Sequence, residues 1–195
     1  MRLLLDNVAK FVNLSKEEER ILMESFVIDK YPAKSFLLRE GEICKDNVFV
    51  LSGILKNYMV DDDLKEHTLS FASRGWWSGD MYSFISQQPG NSFIVALEET
   101  TVMKQTREEQ LKIFDRIPKM ERFYRILIER SLVATQQRML NNMQLSAEER
   151  YLRFMERYSD IKYQLPQKDI ASYLGITPQF FSKMKARMLR SESKL

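Results

Sequence analysis

From Lys119 to Asn142 the chain contains neither glycine nor proline. At about 1.5 Å per residue, a helix over this stretch is roughly 36 Å long. Two apolar stripes run along it. Met120, Phe123 and Leu127 form one. Tyr124, Ile128, Leu132, Thr135, Met139 and Met143 form the other, at steps of four, four, three, four and four. A helix with two apolar stripes must bury both. The first suits packing on a preceding domain. The second has the heptad-like spacing of a helix that pairs with a second copy of itself. The long helix therefore divides the chain: residues 1–118 precede it, 119–143 form a dimerisation helix, and 144–195 follow.

The first region reads as strands after one short helix. Ser15 and Glu18 have capping-box spacing, and Leu22, Met23 and Phe26 give that helix an inner face. Short β-rich runs follow at Ser35–Arg39, Asn47–Leu51, Ile54–Val60, His67–Ala72, Phe93–Leu97 and Thr101–Gln105. Gly41, Gly53, the run Asp61-Asp62-Asp63, Gly75 and Gly79 separate them. Strands this short, at this interval, suggest a small antiparallel sandwich or barrel.

The third region opens with a second capping box, Ser146 and Glu149, before Tyr151, Phe154 and Tyr158 on one helix face. Then comes Gln167 to Met188, reading QKDIASYLGITPQFFSKMKARM. Ile170, Ala171 and Leu174 face one way. Gly175 stands at a turn, Thr177 can cap the next helix, and Pro178 occupies its first position. Phe181, Met184 and Met188 form an inner face. That leaves Gln179, Ser182, Lys183, Lys185 and Arg187 outside. A helix with an apolar back and a polar, basic front fits the major groove.

Charge supports this division. Residues 145–195 carry ten Lys/Arg and six Asp/Glu, whereas residues 1–144 carry twenty and twenty-one. The positive charge collects where phosphate binding requires it. The single cysteine, Cys44, excludes an internal disulfide and a four-cysteine iron–sulfur or zinc site. With one histidine, His67, a metal centre is not expected. No apolar run approaches the length of a bilayer span, and Asp6 breaks the short run Leu3–Leu5, so a cytoplasmic chain is the default. Clustered histidines and a nucleophile–base pair are both missing, which argues against an enzyme.

The order of β domain, long helix and helix-turn-helix resembles the CRP/FNR family of transcription regulators. SAEERYLRFMERY and IASYLGITPQFFSKMK carry the resemblance most specifically; EGE at 40–42, VFVLSG at 48–53 and SGD at 78–80 are similar to the β-roll turns. The resemblance implies an α+β fold. It has an N-terminal antiparallel β-roll (double-stranded β-helix, or jelly-roll) of cyclic-nucleotide-binding type, a dimerisation helix, and a C-terminal helix-turn-helix domain. It also implies a homodimer on two-fold double-stranded DNA, and leaves RNA polymerase open as a further partner.

Residue by residue, Thr177, Gln179, Ser182, Lys183, Lys185 and Arg187 become the DNA-contacting set. Gln179 stands where members often carry a glutamate, and Lys183 where an arginine commonly meets guanine. Pro178 replaces a base-contacting arginine of some members. Phe180 either meets a thymine methyl or packs inward. Tyr124, Ile128, Leu132, Thr135 and Met139 form the dimerisation set. The short link before the helix-turn-helix and the short tail after it leave little room for a β wing.

In cyclic-nucleotide-binding relatives, a glycine–acid pair opens a phosphate cassette and a later arginine neutralises the phosphate. Gly79, Asp80 and Met81 match the opening, and Asn91 and Ser92 stand at its end. No arginine occurs between Asp80 and Arg107. Thr135 matches a threonine that contacts the base in some members and completes this effector set. A buried phosphate without its cation loses a charge-assisted bond of about 1.5–3 kcal/mol, which argues against tight cAMP or cGMP binding. The effector is therefore undefined: an empty pocket, an uncharged or carboxylate molecule, or a pocket filled by Trp76, Trp77 or Tyr82. The reading is a homodimeric, sequence-specific DNA-binding regulator. The alternative is a small-molecule-binding module whose helical tail mediates protein contacts.

Overall fold

The computed structural model describes residues 2–192. Three helices and two sheets come first: α1 (Arg2–Ala9), α2 (Lys16–Glu24), β1 (Val27–Tyr31), β2 (Phe36–Leu38), β3 (Asp46–Ser52), β4 (Leu55–Val60), β5 (Glu66–Ala72), β6 (Trp77–Ser78), α3 (Met81–Ser86), β7 (Phe93–Ala96) and β8 (Thr100–Thr106). Five further helices end the chain: α4 (Arg107–Arg116), α5 (Lys119–Gln144), α6 (Ala147–Arg157), α7 (Gln167–Tyr173) and α8 (Pro178–Glu192). The strands form two four-stranded sheets, ordered β1-β8-β3-β6 and β2-β7-β4-β5. Their pairings are antiparallel, with β8 between β1 and β3. The expected β-roll is thus present, with sequence-distant strands as neighbours.

Alternation along the strands gives the first sheet two apolar faces. Val48, Val50 and Val102 point into the roll, where they meet Leu38, Leu55 and Ile94. Phe49 and Met103 point the other way, into a core with α1, α2, α4 and the start of α5. Trp77 belongs to this outer core: it lies against Phe26, Phe49, Phe123 and Tyr124, and its Nε1 donates to Asn7 Oδ1 at 3.3 Å. Trp76 packs against the roll interior. Tyr82 is exposed, so it fills no pocket. The turn after β3 requires Gly53. Its φ is +87°, and a Cβ there would sit 2.6 Å from the Glu99 carbonyl oxygen.

Both predicted capping boxes form, at Ser15/Glu18 and Ser146/Glu149. The helix expected over 119–142 runs from Lys119 to Gln144. Tyr124 corrects its predicted dimer stripe. This residue is 4% exposed, and its hydroxyl donates to Gln105 Oε1. The outer core claims it because helix spacing puts it beside Phe123, at the edge between the two stripes. Ile128, Leu132 and Met139 are 46%, 56% and 58% exposed, and Thr135 is exposed with them.

The chain divides into two compact units. The first comprises residues 1–59 and 69–131. The second begins at Leu132 and includes residues 60–68, the tip of the β4–β5 hairpin. Among the described residues no strand follows Thr106, so no wing accompanies the helix-turn-helix.

Candidate nucleic-acid interface

The second unit is organised around α7 and α8. α7 ends at Tyr173 with Leu174 as its C-cap, and Gly175 adopts φ +70° with open space where a Cβ would stand. Gly175 is needed for its left-handed backbone, not for close packing. Ile176 N–H donates to Ala171 O at 3.0 Å and Gly175 N–H to Ser172 O at 3.0 Å. These two bonds satisfy carbonyls that the end of a helix would otherwise leave open. Thr177 then caps α8, its Oγ1 accepting from Phe180 N–H at 3.2 Å. Pro178 fills the first helical position, where its missing N–H costs nothing.

The inner face of α8 is fixed by aromatic packing. Phe181 is fully buried and Met184 nearly so. The Phe181 ring meets Tyr151 of α6 edge-on, with centroids 5.3 Å apart. Phe154, Tyr158 and Tyr173 pack together behind it. Ile170, Ala171 and Leu174 close the same core from α7.

This packing decides what α8 presents outward. Gln179, Ser182, Lys183 and Arg187 are exposed, and Lys185 is half-buried at the side. Four positions, 179, 182, 183 and 187, recur at helical spacing and share one face. Phe180 is 48% exposed and turns outward, so it does not pack inward. Arg187 is already engaged by Glu148 of α6 in an ion pair. Its guanidinium is therefore directed toward α6, although an exposed pair of this kind contributes only about 0–1 kcal/mol and exchanges readily.

The anchoring of α7 has no signature along the chain. Thr68, at the hairpin tip, donates its N–H to Ser172 Oγ at 2.9 Å, and Ser172 Oγ donates to Glu66 O at 2.7 Å. Arg138 of α5 donates to Thr68 O and Tyr173 O, both at 2.9 Å, and its guanidinium lies 4.0 Å over the Tyr173 ring. His67 Nε2 and Asp61 Oδ2 are 2.6 Å apart across the same tip, so the lone histidine has a structural partner. The helix that supports α8 is thereby held by two other segments of its unit, the hairpin tip and α5.

The phosphate cassette in the first unit is satisfied internally. Asp80 caps α3: its Oδ1 accepts from Ser83 N–H at 3.1 Å and its Oδ2 from Ser92 Oγ at 2.8 Å. Ser83 Oγ accepts from Cys44 N–H at 2.8 Å and donates to Gln88 O at 2.5 Å. Gly90 backs directly onto Asp80, where a Cβ would lie 2.5 Å from Oδ2. Asp80 and Ser92 thus bond to each other, Met81 and Asn91 face solvent, and Gly79 packs against Asn47. Thr135 belongs to the other unit. Among the described residues no group of three or more His, Cys, Asp or Glu side chains could hold a metal ion. No described helix is long and apolar enough to cross a membrane.

Residues 28–116 match the family model of the cyclic nucleotide-binding domain. The transcriptional activatory protein AadR of Rhodopseudomonas palustris is 24% identical over 177 residues, covering 84% of this chain and 71% of that protein. The fumarate and nitrate reduction regulatory protein of Vibrio cholerae is 24% identical over 169 residues. That match covers 80% of this chain and 66% of that protein, just under two thirds of its length. Among solved structures, the Xanthomonas campestris regulator CLP superimposes with a TM-score of 0.73 at 14% identity, over 91% of this chain and 93% of that one. FixK2 of Bradyrhizobium japonicum gives 0.73 at 18% identity, over 86% of each chain.

Proposed function

We propose that the chain is a CRP/FNR-type protein, a homodimeric, sequence-specific DNA-binding transcription regulator; residues 28–116 match the cyclic nucleotide-binding domain, and relatives at 24% identity are regulators. The observation that carries the reading is the outer face of α8. Gln179, Ser182 and Lys183 project from a helix whose opposite face is locked by Phe181 and Met184. Gln179 can pair with adenine through two hydrogen bonds, and Lys183 can donate to guanine O6 and N7. Thr177 at the cap and Lys185 at the side serve phosphates. Arg187 joins them after exchanging Glu148 for a phosphate. Phe180 supplies an apolar surface for a thymine methyl.

The exposed stripe Ile128, Leu132, Thr135 and Met139 pairs two copies of α5, extended by Met143 at 77% exposure. Two copies of α8 then enter successive major grooves, about 34–36 Å apart, on a two-fold operator. Such a protein works in the cytoplasm, where the DNA is, and catalysis has no part in the reading. The protein-contact alternative for the helical tail suits a mixed or apolar outer face; from Thr177 onward five basic residues stand against one acidic.

Lys183→Ala tests the reading. It is expected to weaken specific operator binding by about 1–3 kcal/mol and to relax the preference at one base position. Binding sites selected from random DNA, followed by titration at several salt concentrations, measure both. Wild-type affinity should fall steeply with salt, because each neutralised phosphate releases condensed counterions. An unchanged affinity and footprint in the variant would remove Lys183 from the readout.

The β-roll is not a tight cyclic-nucleotide site in this reading. Its cassette has no arginine, and the Asp80 carboxylate is occupied by Ser83 and Ser92. Saturating cAMP is expected to leave the melting temperature unchanged, since a ligand stabilises only through binding the folded state. A clear rise at submillimolar cAMP would show that another group replaces the arginine.

A further inference from the structure

The inward face of the first sheet is apolar except at one end. Val48 and Val50 on β3, and Val102 on β8, are buried in the roll interior. Side chains two apart on a strand share a face. Asp46 therefore shares the face of Val48, and Lys104 that of Val102; Val48 and Lys104 are direct cross-strand partners. On β1, Tyr31 packs against the same interior, and Asp29 lies two residues before it. Three neighbouring strands thus aim two carboxylates, an ammonium and a phenol at one end of the roll.

These groups are unequally satisfied. Lys104 Nζ lies 2.8 Å from Asp29 Oδ2 but 4.0 Å from Asp46 Oδ2, and it donates to Tyr31 Oη at 3.5 Å. Asp29 is lowered and Lys104 raised in pKa by their mutual hydrogen bond. Asp46 is the carboxylate with acceptor capacity to spare. Stability alone does not favour such a cluster, because partly exposed ion pairs of this kind contribute only about 0–1 kcal/mol.

The cluster forms the mouth of a cavity of about 510 Å³. Leu38, Cys44, Val48 and Ile94 contribute its apolar wall, and Tyr31, Glu42, Asp46 and Lys104 its polar rim. That volume lies within the range of small-molecule sites, roughly 300–1,000 Å³. Burial raises the pKa of the Tyr31 phenol and of the Cys44 thiol, which keeps both neutral. At the rim Glu42 and Asp46 stand with Lys45 and Lys104, and Asp29, outside the lining, draws the Lys104 ammonium to 2.8 Å, away from Asp46. With Lys104 held by Asp29, the Asp46 carboxylate over an apolar wall selects an organic cation.

We propose that this mouth binds a small organic amine, its ammonium on Asp46 and Tyr31 and its apolar body between Leu38, Val48 and Ile94. The ammonium adds the missing positive charge to Asp46. The Tyr31 hydroxyl accepts a second hydrogen bond and its ring offers a cation–π face. The site borders the cassette through Cys44, whose N–H donates to Ser83 Oγ, but none of Asp80, Asn91 and Ser92 lines it, and it uses none of the α8 face.

The test uses the full-length protein with 2-phenylethylamine and tryptamine. The matched alcohol 2-phenylethanol and the carboxylate 3-phenylpropanoate serve as controls. Calorimetry measures binding, and the rate of Cys44 labelling by a thiol-reactive disulfide reports occupancy of the wall. At least one amine is expected to bind saturably and to slow Cys44 labelling, with the alcohol and the carboxylate at least about tenfold weaker, as expected for loss of a charge-assisted hydrogen bond. Asp46→Asn should weaken the amine by a similar factor. Ile43→Trp should block it, because Ile43 lines the cavity at a partly exposed position. Lys183→Ala should leave amine binding unchanged. Absence of amine binding, equal binding of the carboxylate, or indifference to both Asp46→Asn and Ile43→Trp would each overturn the assignment. Operator binding is scored separately, so failure of the amine site and failure of the DNA reading are distinguishable.

Discussion

Leu132→Asp is expected to convert the protein from dimer to monomer and to abolish detectable operator binding. Leu132 is 56% exposed in the single chain and lies midway along the exposed stripe of α5. An aspartate there faces water in the monomer, so the folded protomer should change by no more than about 0.5 kcal/mol. In the dimer two carboxylates would enter an apolar seam near the two-fold axis. Each would lose its water without gaining a partner, and the two would repel. The DNA consequence is larger than the loss of one contact. Two linked reading helices gain about 10²- to 10⁴-fold in apparent affinity over one, through effective concentration. Sedimentation velocity gives the oligomeric state, and a mobility-shift titration gives the affinity. A variant that stays dimeric would move the pairing surface away from this stripe.

Phe181→Ala is expected to unfold the reading unit before the β-roll. Phe181 is fully buried and stacks edge-on with Tyr151, between α6 and α8. Truncating a buried phenylalanine to alanine typically costs about 3–5 kcal/mol, combining lost transfer energy and a cavity. The unit is small, and its remaining core of Phe154, Ile170, Ala171, Leu174 and Met184 cannot collapse around so large a void. Hydrogen exchange should show α7 and α8 losing protection while β3 and β8 keep theirs. Operator binding should disappear with that protection. Phe181→Leu keeps most of the volume and should cost clearly less. Uniform loss across both units would mean that they unfold as one.

The features legible in the sequence were local ones. Ser15 with Glu18, and Ser146 with Glu149, announce helix starts because a capping box needs only four consecutive residues. Gly175 and Thr177 announce the turn between α7 and α8 for the same reason. Elements with weak periodicity escaped. The run Leu3–Leu5 reads as a fragment, yet α1 buries Leu4 and Val8 in the outer core. β1 exposes Val27 and Ile28, which hides its alternation. α3 lies between Gly79 and Gly90, α4 follows β8 directly, and both carry short apolar patterns.

Site residues that depend on tertiary register were illegible altogether. Heptad arithmetic places Tyr124 on the dimer stripe, but the hydroxyl's bond to Gln105 reassigns it. Arg187 meets Glu148 from 39 residues away. Asp29, Asp46 and Lys104 come together only because β8 inserts between β1 and β3. Nothing in their spacing along the chain foretells that.

Ser172 receives its hydrogen bond from Thr68, across 104 positions of sequence. As the chain leaves the ribosome, the hairpin tip emerges long before the helices it joins. Those helices, released last, must find a template already waiting. The tail expressed alone, from Leu132 onward, would lack that template and leave Arg138 and Ser172 without the tip's Thr68 and Glu66. A stable isolated reader therefore requires grafting residues 60–68 back onto it.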